Sequence, residues 1–113
     1  EILIWHHDAF TLPPGAVPLY SSWYCPDQAF VLGNTLATVA HIEVTAPLLR
    51  EWLNIYGDDI QPESASVQGV EQILYRLDER VQHMHATVTD RLYACWLSRV
   101  GQNADAGCTI SLP

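Results

Sequence analysis

The stretch VAHIEVT, residues 39–45, marks the point where one pattern in the sequence gives way to another. Before it, short apolar runs are separated by proline and glycine, and after it apolar residues recur at the spacing of a helix. Residues two positions apart in an extended segment point to the same side. His41 and Glu43 are therefore predicted to approach one locus, where a histidine beside a carboxylate is suited to proton transfer.

In the first part of the chain, residues 1–43, proline and glycine separate short apolar runs, a pattern typical of strands and turns. Four strands are predicted, with a tight hairpin turn at Gly33 and Asn34 between the last two. These strands cover residues 2–5, 17–22, 28–32 and 36–40. The segments ILIW and LATVA do not alternate cleanly between apolar and polar residues, so both faces of the sheet are predicted to be covered. Either the two predicted helices cover the sheet, or strands that are absent from this chain complete it.

The following part, residues 44–100, is predicted to be helical. Thr45 suits an N-cap, Pro47 suits the first helical turn, and Gly57 is expected to end this helix. A polar loop follows, and apolar residues spaced by three and four then predict one long amphipathic helix from Val70 to about Val100. The remaining residues, 101–113, are small and polar and are predicted to form a flexible tail of a single partial domain that spans 1–113.

Composition and charge exclude several classes of function. The chain is 49% apolar over 113 residues, which is enough for one domain with a buried core. Thirteen acidic residues against five arginines and no lysine give a formal charge of −8, which opposes binding to nucleic acid or anionic lipid. No apolar run has the length of a membrane span, and a cytoplasmic protein without a membrane partner is predicted.

The three cysteines, Cys25, Cys95 and Cys108, are widely separated and odd in number. This pattern predicts neither a disulfide framework nor a zinc cluster, and reduced thiols are expected. A catalytic pair of Cys25 with His41 is one interpretation. Against it, the proline after Cys25 favours an extended backbone there, and the glycine-flanked turn that exposes a nucleophile is missing.

The run WHHD near the start of the chain holds a second histidine and carboxylate at the same offset, His6 and Asp8. An alternative hypothesis is a metal site built from His6, His7, Asp8, His41 and Glu43, since imidazole and carboxylate are common ligands. Short motif matches of this kind are mostly false positives. The prediction is therefore that the chain has no metal and no cofactor.

Two more histidines, His83 and His85, fall within the predicted long helix. Two positions along a helix correspond to roughly 200° around its axis. The two rings are therefore predicted to face different sides, as histidines at the surface or at the edge of the core, and not to act as joint ligands.

Several of these segments together resemble a known family. The runs WHHDAF, LPPGAVPLYSS, CPDQAF, HIEVT and WLNIYGD follow one another in this order. The sequence is thereby similar to the C-terminal half of a class I glutamine amidotransferase domain, of the kind found as the glutaminase domain of GMP synthase. The similarity covers residues 2 to about 60 closely and the long helix more loosely.

This resemblance implies an α/β fold with a three-layer, flavodoxin-like mixed sheet, of which the chain would hold the C-terminal half. It also implies a cysteine hydrolase whose Cys-His-Glu triad releases ammonia from the glutamine side chain through a glutamyl thioester. His41 would be the general base and Glu43 the carboxylate that orients it. His6 and Asp8 would shape the loop beside the site or contact the substrate.

The departures from the family concern the nucleophile. The family carries it in a G-x-C-x-G element upstream of the matched segments, and these 113 residues contain no such element. Cys25 matches the cysteine of the family's C-P-x-Q-A-F segment, which is not the nucleophile, and Val39 and Ala40 replace a Gln-Phe pair ahead of His41. No nucleophile is therefore assigned within the chain.

The expected partners follow from this gap. They are a small amide substrate, glutamine or a related compound, and either a missing N-terminal half or a partner chain that supplies the cysteine. Self-association into a homo-oligomer is a further expectation. The alternative is an inactive, amidotransferase-like interaction module that pairs with a partner through an open sheet edge.

Overall fold

A three-stranded antiparallel sheet forms the first part of the fold in the computed structural model, which describes residues 1–60 and 63–100. The strands are β1 (Val17–Tyr20), β2 (Ala29–Leu32) and β3 (Thr35–Thr38), and they pair in this order. Gly33 has a φ of +57° in the two-residue turn between β2 and β3, a conformation that glycine adopts without steric cost. The predicted hairpin is confirmed.

The fourth predicted strand, residues 2–5, does not form a ladder. Ile4 makes one isolated antiparallel bridge with Ala40, and the His41 amide donates to the Leu3 carbonyl at 2.9 Å. The predicted four-stranded mixed sheet is therefore not confirmed, because the described residues contain three strands and all of their pairs are antiparallel. An apolar run indicates burial, but a strand also requires a neighbouring strand to exchange hydrogen bonds with.

Helix α1 (Ala46–Tyr56) begins where the sequence predicts. The Thr45 side chain accepts a hydrogen bond from the Leu48 amide at 3.3 Å, and Pro47 lies in the first turn. Gly57 follows the last residue of the helix with right-handed backbone angles, and the chain continues into a short 3₁₀ helix, Gly57–Ile60. The predicted end of α1 is confirmed, although Gly57 does not adopt the left-handed conformation typical of a glycine C-cap.

The predicted long helix is interrupted. It consists of α2 (Val70–Leu74), α3 (Leu77–Met84), a π-helical turn (His85–Thr89) and α4 (Asp90–Val100). Arg76, between α2 and α3, has a left-handed φ of 49°. The break left no trace in the apolar pattern because Ile73 and Leu77, on either side of it, are both buried and lie four positions apart. The predicted tail, 101–113, lies outside the described residues.

Within residues 1–60 and 63–100, the core consists of two groups of buried side chains. The larger joins α1 to α2 and α3, and its fully or nearly buried members are Val44, Ala46, Leu49, Leu53, Ile60, Ile73, Leu77 and Met84. The smaller comprises Ala40, Ile42 and Leu92. Ile42 and Val44 thus belong to different groups, so the segment on either side of Glu43 is anchored in both.

Cys25 and Cys95 differ in oxidation state. Cys25 is a free cysteine of intermediate burial, in agreement with the expectation. Cys95 is disulfide-bonded, so the expectation of reduced thiols is wrong at that position. In the part of the chain that the structure describes, no helix combines the length and the apolar character needed to cross a bilayer.

Candidate active site

His41 and Glu43 lie on the short segment that connects the sheet to α1. The side chains of Ile42 and Val44 point into the core and are 5% and 1% exposed. The His41 and Glu43 side chains alternate with them and are 32% and 50% exposed. Burial of every second residue therefore directs the imidazole and the carboxylate to the same side, as the sequence predicts.

The imidazole and the carboxylate are in direct contact. His41 Nδ1 lies 2.8 Å from Glu43 Oε1, and His41 Nε2 lies 3.1 Å from the carbonyl oxygen of Trp5. Both partners are hydrogen-bond acceptors, whereas a neutral imidazole carries only one N–H. A neutral ring that donates from Nδ1 to Glu43 has its lone pair on Nε2, and a protonated ring can donate to both oxygens.

The environment of Glu43 favours its charged form. Partial burial on its own raises the pKa of this carboxyl group, but three effects act in the opposite direction. They are the hydrogen bond from His41, the hydrogen bond from the backbone amide of Glu43 itself and the attraction of a charged His41 ring. The net result is a pKa below the usual value of 4.5, so Glu43 is a carboxylate at neutral pH and can orient the imidazole.

An aromatic contact restrains the His41 ring from the side of α1. The ring centroids of His41 and Trp52 are 4.8 Å apart at an interplanar angle of 78°, and Trp52 makes a second edge contact with Trp5 at 6.2 Å. Edge-to-face contacts of this kind stabilise one ring orientation. Trp52 is part of the apolar face of α1 in the sequence, but the periodicity gave no sign that it meets His41.

His6 and Asp8 are close to each other but form a different kind of contact. His6 Nδ1 lies 2.6 Å from the main-chain carbonyl oxygen of Asp8, so the ring donates to the backbone and not to the carboxylate. His7 Nε2 lies 3.6 Å from Asp59 Oδ2. Across residues 1–60 and 63–100, no group of three or more His, Cys, Asp or Glu side chains is arranged to hold a metal ion.

A cavity of about 500 Å³ opens next to the first residues of the chain. Trp5, His6, Cys25 and Gln28 contribute to its wall, while His41 and Glu43 do not. The Cys25 thiol lies 3.6 Å from the carbonyl oxygen of Asp27. His6 therefore faces this cavity, and the His41 ring borders it through its contact with the Trp5 carbonyl oxygen.

Two residues of the π-helical turn contact the segment that carries the pair, and sequence reasoning missed them. Thr89 Oγ1 donates to the carbonyl oxygen of Ile42 at 2.7 Å, and His85 Nε2 donates to that of Val44 at 2.9 Å. His85 is partly buried and His83 is exposed, as the predicted angle between them requires. Sequence spacing predicted that the His83 and His85 rings face different sides but could not show what His85 touches.

Comparison with known proteins supports the resemblance drawn from the sequence. The fold is similar to the crystal structure of a glutamine amidotransferase from Methylobacillus flagellatus, with a TM-score of 0.80 and 29% sequence identity. The match covers 98% of this chain and 46% of that structure, so the chain spans less than half the length of the protein it resembles. A scan of protein-family models found no match, and neither did a search of curated proteins.

The predicted resemblance to a glutamine amidotransferase is thus confirmed, over part of that protein. The small α/β architecture agrees with it.

Proposed function

We propose that this chain provides the histidine and the carboxylate of a Cys-His-Glu triad in an amidotransferase of class I, similar to the glutaminase domain of GMP synthase. The observation that carries the proposal is the 2.8 Å contact between His41 Nδ1 and Glu43 Oε1, in a fold similar to that of a glutamine amidotransferase. The cysteine comes from sequence beyond these 113 residues. The substrate is the side-chain amide of glutamine or a related compound.

In the proposed reaction, Glu43 holds the proton of His41 on Nδ1 and leaves Nε2 free to accept one. Nε2 takes the proton of the cysteine thiol, and the thiolate attacks the amide carbonyl of the substrate. The imidazolium then returns the proton to the departing nitrogen, so that ammonia leaves and a glutamyl thioester remains. Water hydrolyses the thioester and regenerates the thiol.

The Trp5 carbonyl oxygen lies 3.1 Å from Nε2 and can accept a hydrogen bond from the imidazolium, so the thiol has to approach Nε2 beside this oxygen or in its place. The Glu43 carboxylate stabilises the same charge from the other side of the ring. Trp52 keeps the ring plane in place through its edge contact. Each of these groups acts on His41, and none of them replaces the missing thiol.

The sequence that supplies the cysteine would also complete the fold. It would add strands beside residues 2–5, where Ile4 has a single bridge, and cover the cavity lined by Trp5 and His6. The three-layer, flavodoxin-like arrangement belongs to this proposal. So does a cytoplasmic location, which cell fractionation with an antibody against the protein would test.

The test is an assay of ammonia release from glutamine by the full-length polypeptide that contains this chain. His41→Ala is expected to lower kcat by on the order of a million-fold, as removal of a triad histidine does in subtilisin. His83→Ala is the matched control, since His83 is exposed on α3, and it should leave kcat unchanged. Activity of His41→Ala at the level of the control would remove His41 from the mechanism.

The alternative is a non-enzymatic interaction module with an open edge. It is favoured by one observation, namely that residues 2–5 are apolar, carry a single bridge at Ile4 and border a cavity of about 500 Å³. Sedimentation of the full-length polypeptide distinguishes the two proposals when it is combined with the assay. An associating protein that releases no ammonia would favour the module, and an active monomer would exclude it.

A further inference from the structure

The residues around Glu43 have few main-chain hydrogen bonds of the regular kind. They lie between the bridge at Ala40 and the first turn of α1, outside any strand or helix. The carbonyls of Ile42 and Val44 stand on either side of Glu43, and both accept a hydrogen bond from the π-helical turn, His85–Thr89. Buried carbonyls require such partners, and these two flank the residue whose carboxylate contacts His41.

The direction of the Glu43 carboxylate depends on the backbone that carries it. Its side chain is 50% exposed, so packing around the carboxylate does not fix its direction. The carboxylate is held by its hydrogen bonds to His41 and to the Glu43 amide, and the backbone that carries it is fixed by the burial of Ile42 and Val44 together with the hydrogen bonds to their carbonyls. A displacement of a catalytic group by about 1 Å can cost a hundredfold in rate.

The donors of these hydrogen bonds come from an irregular turn of the helix. His85 and Thr89 are the first and last residues of the π-helical turn, in which the Asp90 amide bonds to the His85 carbonyl. π-helical turns are rare and occur often at functional sites. This turn presents two side chains, four positions apart, to one short segment of the chain.

We propose that Thr89 and His85 are positioning residues, which hold the main chain on both sides of Glu43 so that its carboxylate meets Nδ1 of His41. The inference rests on the proposed function, since it assigns the π-helical turn to the same site. We expect the larger effect from Thr89, because this residue is 5% exposed and its hydroxyl lies 2.7 Å from the Ile42 carbonyl oxygen. Neither residue touches the reacting atoms.

Thr87 provides a matched control on the same turn. Its hydroxyl donates to the His83 carbonyl at 2.7 Å, within the helix itself, and does not reach the segment that carries Glu43. Thr87→Val and Thr89→Val therefore make the same chemical change, one hydroxyl to one methyl. Only the second removes a hydrogen bond to the site.

The experiment uses the full-length polypeptide labelled with ¹⁵N-histidine, in which the imidazole nitrogen shifts of His41 report how its proton is shared between Nδ1 and Nε2. Thr89→Val is expected to move these shifts toward those of a free histidine and to lower kcat for ammonia release about tenfold to a hundredfold, without a change in KM. Thr89→Ser, which keeps the hydroxyl, should restore both, and Thr87→Val should alter neither.

Identical His41 shifts in Thr89→Val and Thr87→Val would overturn the inference. If Thr89→Val does not fold, His85→Leu and His85→Gln give the same comparison, because only glutamine keeps an N–H donor for the Val44 carbonyl. The histidine spectrum tests positioning even in a polypeptide that releases no ammonia. The His41→Ala assay tests the proposed function separately, so the two failures can be told apart.

Discussion

At the scale of single residues, the properties of His41 are set by partners from three parts of the chain. Glu43 is its neighbour in sequence, Trp5 belongs to the first segment and Trp52 lies on α1. Only the contact with Glu43 follows from a local rule, the alternation of side chains. The lowered pKa of Glu43 is the measurable sign of that contact.

Glu43→Gln is expected to change how stability depends on pH. A carboxyl group whose pKa is lower in the folded state contributes stability that is fully present above its usual value of 4.5 and is lost as the pH falls through the lowered value. At pH 7 the variant should therefore be less stable, by less than about 1 kcal/mol because the group is half exposed. The difference should shrink as the pH falls below 4.5 and vanish below the lowered pKa.

Urea unfolding at pH 7 and pH 3 measures this effect. Glu51→Gln is the control, because Glu51 is exposed on the neighbouring helix α1 and its substitution should give nearly the same stability difference at both values of pH. A Glu43→Gln variant whose deficit persisted unchanged at pH 3 would show that the carboxylate charge is not what binds the two side chains together.

At the scale of elements, the site lies between the start of one helix and an irregular turn of another. Thr45 caps α1 two residues after Glu43, so the helix begins immediately beside the His41–Glu43 pair. The π-helical turn, residues His85–Thr89, contacts the same segment from the other side. The segment is thus held at its C-terminal end by a helix cap and across its middle by hydrogen bonds to its carbonyls.

Removal of the cap should loosen α1. Thr45→Ala is expected to lower the free energy of unfolding by about 1 kcal/mol, because the Leu48 amide loses its side-chain acceptor. Thr45→Ser keeps an oxygen at the same position and should lose much less. Chemical denaturation of both variants, followed by circular dichroism, measures the difference, and equal stabilities would mean that the cap contributes nothing.

At the scale of the whole molecule, Arg80 ties the beginning of the chain to the helices. Its guanidinium group donates to the Glu1 carboxylate at 2.6 and 3.0 Å and to the carbonyls of Gln72, Ile73 and Tyr75 at 3.0 to 3.2 Å. Gln72 and Ile73 lie at the end of α2 and Tyr75 directly follows it, next to the left-handed Arg76 that breaks the helix. One side chain thus compensates for the break and also holds the first segment in place.

Arg80→Lys should therefore be destabilising despite the retained charge. A lysine ammonium cannot match the planar fork of arginine, and we expect a loss of about 1 kcal/mol, because water can replace the lost donor at the two exposed carbonyls but less well at the partly buried one. Arg50→Lys is the control, since Arg50 forms an exposed ion pair with Asp78 and should change stability less. Thermal unfolding compares the two variants, and equal midpoints would contradict the role given to Arg80.

Several features could be predicted from the sequence because they depend on near neighbours. The hairpin at Gly33, the cap at Thr45 and the shared side of His41 and Glu43 each follow from residues within four positions. The four-stranded sheet and the unbroken helix were not confirmed, since both depend on contacts with distant residues. Apolar periodicity continues across Arg76 and therefore does not reveal the break.

The sequence by itself determined that a strand-rich part precedes a helical part, and it determined the candidate pair and the resemblance to glutamine amidotransferases, because these depend on local backbone preferences and on the order of motifs. Only the tertiary structure decided that Trp5 and Trp52 meet the His41 ring, and that Thr89 and His85 hold the carbonyls around Glu43. These contacts join residues 11 to 47 positions apart. Packing of the core brings them together, and no local pattern encodes that packing.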